Sequence, residues 1–239
     1  MPLSVDFGRA ILRANGVVAT GDPYPAEGIS NRLEIVGGAL QATVYQDDTL
    51  TYNGRRAEVD IGVFPANSGV CWSTVDFMLP GDWSYNKLIM MGSWYPTPDG
   101  GDGTKHVTIG LRLLGPTLLV IVPDSLPGET TTGKTVARMD LERGRWYSLC
   151  IHAGLATDSS GFREVYVDGV PILREFNIPT TYIDAVGPYF KIGPYDGGHN
   201  NDFGMLRLYY RNARMWTGIE NFQAVMDRVP RMPRRLLGN

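Results

Sequence analysis

The stretch of sequence that decides the fold is GPYFKIGPY, at residues 187–195. In an extended chain successive side chains point to opposite sides, so residues two apart share a face. Tyr189, Lys191 and Tyr195 therefore lie on one face, while the phenylalanine and isoleucine between them lie on the other. One face is aromatic and cationic, and the other is apolar. This pattern predicts a strand whose back packs on a core and whose front lines a polar groove.

Length and composition are those of a globular chain with many turns. The 239 residues are 43% hydrophobic, and an all-β fold of this size can be one domain. The 29 glycines and 16 prolines favour numerous turns over long helices. A formal net charge of −3 gives no general attraction to nucleic acid or to acidic membranes, so no nucleic-acid partner is expected.

Segments in which apolar and polar residues alternate recur along the chain. They are RLEIVGGALQATVY, RRAEVDIGVF, VCWSTVDFML, NKLIMMGSWY, HVTIGLRLL, TLLVIV, RWYSLCIHAGL, FREVYVDGVPIL, YFKIG and MLRLYYRNARMW. Turn residues separate them, and the pair Asp168 and Gly169 gives the strongest hairpin signal. Many strands without interleaved helices predict an all-β fold, namely a two-sheet antiparallel β-sandwich or jelly roll.

The C-terminal part of the chain differs from the rest. Only GIENFQAVMDRV has a helical pattern, and it predicts one short C-terminal helix. No repeat or linker interrupts the preceding sequence, so residues 1–227 are predicted to form a single domain. Residues 228–239 form a basic, proline-broken tail that is either a solvated chain end or an arm docking on an acidic partner. Its arginines are Arg228, Arg231, Arg234 and Arg235.

The N-terminal sequence MPLSVDFGRAILRANG lacks the cationic start and apolar run of a secretory signal. We therefore expect either a protein that works without such export or one whose leader has been removed. The longest apolar stretch, LLGPTLLVIVP, is short and broken by glycine and proline, so no membrane insertion is expected.

The two cysteines, Cys71 and Cys150, are predicted to be small buried hydrophobic residues. Two cysteines alone make neither a disulfide framework nor a zinc site. A nucleophilic pairing of Cys150 with His152 is set aside, because residues two apart on a strand point the same way and seldom contact as a catalytic pair.

A second strand-like segment, GRRAEVDIGVF at residues 54–64, carries Arg56, Glu58 and Asp60 on one face and apolar residues on the other. A charged face of an antiparallel sheet is solvated by default. Carboxylates two residues from an arginine also hold a guanidinium in a fixed orientation, as a binding groove requires.

With these two segments together, the sequence resembles the jelly-roll polysaccharide lyases. This group contains alginate lyases, glucuronan lyases and heparin lyase I relatives, and its sandwich is of the concanavalin A-like lectin and glucanase type. The family pattern Arg-Thr/Ser-Glu-Leu/Val-Arg is similar to RAEVD at residues 56–60, and Tyr-Phe-Lys-Ala/Ile-Gly-x-Tyr is matched throughout by YFKIGPY at residues 189–195. The resemblance covers roughly residues 30–226.

The resemblance implies β-elimination of a uronic-acid polymer. A site for this reaction neutralises the carboxylate, stabilises an enolate-like anion, and transfers protons to and from the substrate. For this chain it implies proton transfer by Tyr195, a carboxylate clamp at Arg56, and an electrostatic or substrate-contact role for Lys191. Glu58 and Tyr189, from the same two motifs, are expected to contact the glycan.

The chain departs from the family at a third motif. Active relatives carry Gln-x-His on a groove strand, and the corresponding stretch here, KLIMMGSWYP, has neither residue. Ser93 and Tyr95 are instead predicted to hydrogen-bond a sugar, and Trp94 to stack on one. His152, or His199 just after the tyrosine motif, is the candidate replacement for the missing histidine.

Two functions remain open, and the sequence leaves undecided whether the protein is an enzyme. The first is a lectin-like, lyase-related protein that binds an acidic polysaccharide or surface glycan without a complete catalytic set. The alternative is an active polysaccharide lyase. The missing Gln-x-His and the missing leader favour the first.

The missing leader also leads to an expected location. Bacteriophage virion proteins meet glycans without a signal peptide because lysis releases them. A capsid decoration, tail or fibre component on the virion surface is therefore expected, with the tail arginines contacting other virion proteins. If a leader was removed, the expected location is extracellular or periplasmic.

No metal or cofactor is predicted. The loop DGGDG at residues 99–103 resembles a calcium loop only in composition and lacks the remaining ligands. No paired-carboxylate run of a glycosidase, Gly-rich phosphate loop or Ser-His-Asp signature is present.

Overall fold

A computed structural model describes residues 32–48, 50, 54–64, 66, 69–97, 105–124, 132–197 and 204–218, together with the backbone of four short strands before them. The strands are β1 (Leu3–Val5), β2 (Ile11–Arg13), β3 (Gly16–Val18), β4 (Glu27–Gly28), β5 (Leu33–Val36), β6 (Ala39–Tyr45), β7 (Arg55–Val63), β8 (Val70–Met78), β9 (Leu88–Tyr95), β10 (Ile109–Leu114), β11 (Thr117–Pro123), β12 (Gly133–Asp140), β13 (Trp146–Gly154), β14 (Gly161–Val167), β15 (Val170–Ile178), β16 (Tyr189–Asp196) and β17 (Met205–Thr217).

Within this described part there is no α-helix, and therefore no helix long and apolar enough to cross a membrane. The predicted C-terminal helix, after Gly218, and the basic tail at residues 228–239 lie outside the described residues.

The strands form two large antiparallel sheets. The back sheet is eight-stranded, in the order β15-β14-β13-β8-β17-β6-β5 with β1 also paired to β17. The front sheet is seven-stranded, in the order β12-β11-β10-β9-β16-β7-β4, and β2 pairs with β3 separately. The predicted all-β, two-sheet antiparallel sandwich is confirmed.

The core lies between the two sheets, because residues alternate along each strand and most of those that point inward are apolar. Its largest fully buried side chains include Trp94 and Phe190 from the front sheet and Phe77, Tyr147 and Tyr210 from the back sheet. The hairpin predicted at Asp168 and Gly169 joins β14 to β15. Both residues have positive φ, 51° and 78°, as a two-residue hairpin turn of this kind requires.

The two motif strands are neighbours in the front sheet. β16, which contains YFKIGPY, pairs with β7 on one side and with β9 on the other. Phe190 and Ile192 lie in the core at 0% and 1% exposure, as the alternation predicts. The polar residues of β16 and β7 therefore share the outer face of the front sheet.

Candidate functional site

The candidate site lies on the outer face of the front sheet, where β7, β16 and β9 run side by side. Residues directly opposite each other on antiparallel strands have their side chains on the same face. Arg56 is opposite Tyr195, and Lys191 is opposite both Asp60 on β7 and Ser93 on β9. The arginine and the tyrosine of the two motifs are thus brought together on one face.

A buried carboxylate links the two cations of the site. Glu58 accepts a hydrogen bond from Lys191 Nζ at 3.1 Å through its Oε2 atom, and Arg56 Nη1 lies 3.4 Å from the same oxygen. Their side chains are 0%, 7% and 8% exposed, respectively. Buried charges persist only when they are paired. Glu58 therefore fixes both cations in place.

The phenol ring of Tyr195 is held from two sides. The Arg56 guanidinium carbon lies 4.3 Å from the ring centroid, a cation–π contact. On another side the ring packs against the backbone of Gly54, where a Cβ atom would lie 2.0 Å from Tyr195 Cε2. Tyr195 remains partly exposed. Only glycine at position 54 leaves room for this ring position.

A bulge in β16 separates Lys191 from Tyr195. Relative to β9, β16 has one extra residue between Ile192 and Tyr195. Gly193 in this bulge has φ +131°, and a Cβ atom there would lie 2.1 Å from the Ala57 carbonyl oxygen. Both facts demand glycine. The glycine of the YFKIGPY motif is therefore explained by a close approach of two backbones.

Tyr210 reaches this bulge from the back sheet. Its hydroxyl donates to the Met91 carbonyl oxygen at 2.8 Å and also hydrogen-bonds the backbone of Gly193. Tyr210 is fully buried, and burial raises its pKa well above the ordinary value, so it remains a neutral phenol. It connects the core to the strands that carry the site.

Two tyrosines extend the site along β9 and β16. The rings of Tyr95 and Tyr189 lie 5.7 Å apart, and Lys191 Nζ lies 5.0 Å and 5.7 Å from their respective centroids. Both tyrosines are partly exposed. Ser93 lies beside them with 0% exposure, and its hydroxyl has no hydrogen-bond partner among the described residues. These three predicted binding residues share the outer face with Lys191.

The prediction for Trp94 is wrong. Its side chain points into the core, is 0% exposed, and packs on Phe64 with ring centroids 4.4 Å apart. Its indole N–H donates to the Ser73 hydroxyl at 2.7 Å. Because neighbouring residues on a strand point to opposite sides, Trp94 faces away from Ser93 and Tyr95. It cannot stack on a sugar at the outer face.

His152 also lies away from the site, so it cannot replace the missing histidine of Gln-x-His. It projects from the outer face of the back sheet, on the far side of the core. There its ring stacks on Trp72 at 3.5 Å, and its Nδ1 atom pairs with Glu164 Oε2 at 2.8 Å. His199 lies outside the described residues.

Arg112 is a site residue that the sequence reasoning missed. It lies on β10 opposite Met90, the residue that is also opposite Tyr195. Burial lowers the pKa of the Arg112 guanidinium, while its electrostatic interaction with Tyr195 raises it. A lone arginine between two core leucines of HVTIGLRLL was the available signal.

His106, also missed, stands just before β10. Its ring covers Gly133 on β12, where a Cβ atom would lie 2.5 Å from His106 Cε1. Burial lowers the pKa of this imidazole, and the nearby Arg112 lowers it further. His106 is therefore a neutral histidine near the β12 side of the outer face.

The described residues contain no group of three or more histidine, cysteine or acidic side chains that could hold a metal ion. Cys71 and Cys150 are buried and free of disulfides, as the sequence predicts. Burial raises the pKa of Cys71 to about 12 and raises that of Cys150 still further. Both remain protonated thiols, so neither is a nucleophile.

The two-sheet sandwich, with the arginine, lysine and tyrosine of its two motifs on one sheet face, agrees with the resemblance to jelly-roll polysaccharide lyases. The family model described as polysaccharide lyase matches residues 34–212, and the chain belongs to this family. No match was found among curated protein sequences.

Solved structures show the same fold at low sequence identity. An endo-β-1,4-glucuronan lyase from the fungus Trichoderma reesei is 18% identical with a TM-score of 0.67, over 90% of this chain and 94% of that one. Alginate lyase Aly36B is 14% identical with a TM-score of 0.58, over 90% and 96%. Alginate lyase AlgAT5, of polysaccharide lyase family 7, is 17% identical with a TM-score of 0.56, over 90% and 93%.

Proposed function

We propose that the outer face of the front sheet binds a polymer of uronic acids. The observation that carries this proposal is the Glu58-bridged pair of cations, Arg56 and Lys191, beside the Tyr195 ring. Cations that are already held in place lose little side-chain entropy when they bind a carboxylate. A partly desolvated position also strengthens each such contact.

The similar structures support the chemical class of the ligand. The proteins named as glucuronan and alginate lyases act on polymers in which sugars carry carboxylates. On this chain Tyr95 and Tyr189 present partly exposed rings next to Lys191, which suits contact with the apolar face of a pyranose. The buried Ser93 hydroxyl is a further polar group on the same outer face of the front sheet.

A second candidate function is β-elimination, which the position of Tyr195 favours. Arg56 contacts its ring, and Arg112 lies on the same outer face two strands away, so two guanidinium groups are available there to a uronate carboxylate. As base, the Tyr195 oxygen in its ionised form takes the proton from C5, next to this carboxylate. The electron pair forms the C4–C5 double bond, the C4–O bond breaks, and the departing oxygen takes the proton back from the phenol.

Binding and ultraviolet absorbance separate the two functions. We expect glucuronan or alginate to bind with an affinity that falls as salt rises, and neutral dextran not to bind. The unsaturated product of elimination absorbs in the ultraviolet, so an increase in absorbance identifies an active lyase. Tyr195→Phe then abolishes the increase and leaves binding within about threefold, because the phenol hydroxyl makes at most one hydrogen bond to substrate.

Tyr209→Phe is the matched control, because Tyr209 lies on the outer face of the back sheet. It should bind and react like the wild type. Failure of every polyuronate to bind at low salt would overturn the proposal. Binding without any increase in absorbance would leave a glycan-binding protein and exclude elimination for the polymers tested.

The position on a virion surface stays a prediction. It depends on Arg228, Arg231, Arg234 and Arg235, which lie outside the described residues. The protein is expected to co-sediment with virus particles in its source culture. Removal of residues 228–239 should release it, and a protein that never sediments with particles would contradict the prediction.

A further inference from the structure

One row of residues crosses the front sheet at a single register and contains three arginines. Successive cross-strand partners along this row run from β7 to β12. They are Arg56, Tyr195, Met90, Arg112, Leu119 and Arg138. We call this set the arginine row.

All members of the arginine row lie on the same outer face. On β10 and β11 the flanking residues Leu111, Leu113, Leu118 and Val120 belong to the core. On β12 the neighbours of Arg138 pack against that core. Because side chains alternate along a strand, Arg112, Leu119 and Arg138 must point outward.

The spacing of the row follows from sheet geometry. Neighbouring strands lie about 4.8 Å apart. Arg56 and Arg112 are three strands apart, or about 14 Å, and Arg112 and Arg138 are two strands apart, or about 10 Å. The row therefore places positive charges over about 24 Å, measured across the strands and not along them.

The surface of the front sheet between the arginines of the row is apolar. Met90 separates Tyr195 from Arg112, and Leu119 separates Arg112 from Arg138; the two are only 8% and 9% exposed. Within the described residues, no carboxylate forms a salt bridge with Arg112 or Arg138. Asp140, on the same face of β12, accepts a hydrogen bond from Thr117. Among the described residues these two arginines therefore have no carboxylate partner, which suits them to bind an anion.

The front sheet is unequal on the two sides of Tyr195. On one side of β16 lie only β7 and the two-residue β4, and on β7 the Arg56 guanidinium already pairs with Glu58. On the other side lie β9, β10, β11 and β12, which carry Arg112 and Arg138. The surface that can take a longer polyanion therefore extends from Tyr195 towards β12.

We propose that Arg112 and Arg138 extend the polyuronate-binding surface from Tyr195 towards β12, so that the polymer crosses the strands and extends to one side only. This inference rests on the proposed function, because it assumes a ligand with regularly spaced carboxylates. It predicts that affinity depends on chain length. A disaccharide occupies the region around Tyr195, and a hexasaccharide also reaches Arg138.

The test uses saturated β-1,4-linked glucuronic-acid di- and hexasaccharides, titrated calorimetrically into Tyr195→Phe protein so that no ligand is cleaved. The hexasaccharide should bind more tightly than the disaccharide. Arg138→Ala should weaken hexasaccharide binding about threefold, as for one exposed ion pair, and leave disaccharide binding unchanged. Arg112→Ala, at a partly buried position, should cost about tenfold or more.

Arg207→Ala is the control of equal charge, because Arg207 lies on the outer face of the back sheet with Asp82 as its partner. It should bind both ligands like its parent. Arg112→Lys keeps the charge and should recover part of the affinity. If Arg112→Ala does not fold, Arg138→Ala alone decides the matter, because Arg138 is exposed.

The two proposals fail in different ways. If the hexasaccharide binds but the Arg138→Ala and Arg207→Ala proteins bind it equally well, the one-sided extension is wrong and the proposed function stands. Equal affinity of the di- and hexasaccharide would have the same meaning. If neither ligand binds and glucuronan and alginate also fail, both proposals are wrong.

Discussion

At the scale of single residues, the site depends on two glycines as much as on its charged groups. Gly54 leaves room for the Tyr195 ring, and Gly193 allows β16 to approach Ala57. Neither glycine forms part of the chemistry. A Cβ atom at Gly54 would displace the Tyr195 ring, and one at Gly193 would push β16 away from the backbone of Ala57 and Glu58. The position of Tyr195 therefore depends on the backbone at both glycines.

Gly54→Ala tests this dependence. The added methyl would lie 2.0 Å from Tyr195 Cε2 and 2.6 Å from the Asp196 carbonyl oxygen, so the ring must leave its place beside Arg56. We expect a loss of about 1–3 kcal/mol in the free energy of unfolding and a loss of polyuronate affinity of at least tenfold. Urea unfolding and calorimetric titration measure the two effects.

Gly81→Ala is the matched control, because a Cβ atom at Gly81 meets nothing within 4 Å. It should leave stability and affinity unchanged. Equal ligand affinities of the Gly54→Ala and Gly81→Ala proteins would show that the contact of Tyr195 with Arg56 is not needed for binding.

At the scale of strands, two of the bulges in the front sheet determine where the site residues lie. β16 carries one extra residue relative to β9, and β9 carries an extra residue, Met91, relative to β10. The Tyr210 hydroxyl bonds to both bulges, through the Met91 carbonyl and the Gly193 backbone. A residue of the back sheet therefore positions Lys191 and Tyr195 without touching the outer face.

Tyr210→Phe is expected to separate stability from binding. It leaves a buried carbonyl and a buried N–H without their partner, at a cost of about 1–3 kcal/mol in the free energy of unfolding. Tyr147→Phe is the control, because among the described residues this hydroxyl accepts the Glu142 N–H, at 2.6 Å, on the back sheet and away from the site. Both variants should be destabilised, but only Tyr210→Phe should weaken polyuronate binding. Equal affinities would exclude the positioning role.

The sequence is sufficient to predict the strands, but not to predict which strands pair with each other. Alternation alone placed Phe190 and Ile192 in the core and identified the hairpin at Asp168 and Gly169. The prediction for Trp94 failed because it placed three consecutive residues on one face, whereas alternation puts Trp94 on the face opposite to Ser93 and Tyr95.

The missed residues have a different cause. Arg112 joins the site only because β10 pairs with β9 at a particular register, past a bulge at Met91. His152 was considered as a replacement histidine because sequence does not say which sheet a strand belongs to. Which strands pair depends on contacts between residues that are far apart in sequence. Local sequence patterns therefore identify the motif residues but not the residues that strand pairing places next to them.

At the scale of the whole molecule, the outer faces of the two sheets differ in the kind of titratable side chain that each one buries. The front sheet buries a carboxylate between two cations, at Glu58. The back sheet buries a histidine, His152, between the rings of Trp72 and Phe162, at 3.5 Å and 4.7 Å. Glu164, which also pairs with Arg174, accepts a hydrogen bond from this neutral imidazole.

This burial makes stability depend on pH. Burial of His152 lowers its pKa below the ordinary 6.5, although Glu164 opposes the shift. Below about pH 6.5 the unfolded chain therefore binds a proton that the folded protein binds less readily, so stability falls as the pH falls through this value. Each unit of pKa depression adds about 1.4 kcal/mol to the eventual loss. His106 shifts in the same direction and should contribute separately.

Urea unfolding at pH 7.5 and pH 5.5 measures this loss directly. We expect the wild type to be less stable at the lower pH, and His152→Gln and His106→Gln each to lose less on acidification, because each removes one group that the folded state keeps neutral. The two reductions should add, since the histidines lie on different sheets. If His152→Gln shows the full wild-type loss, the proton taken up on unfolding belongs to another group, and the aromatic enclosure of His152 does not hold it neutral.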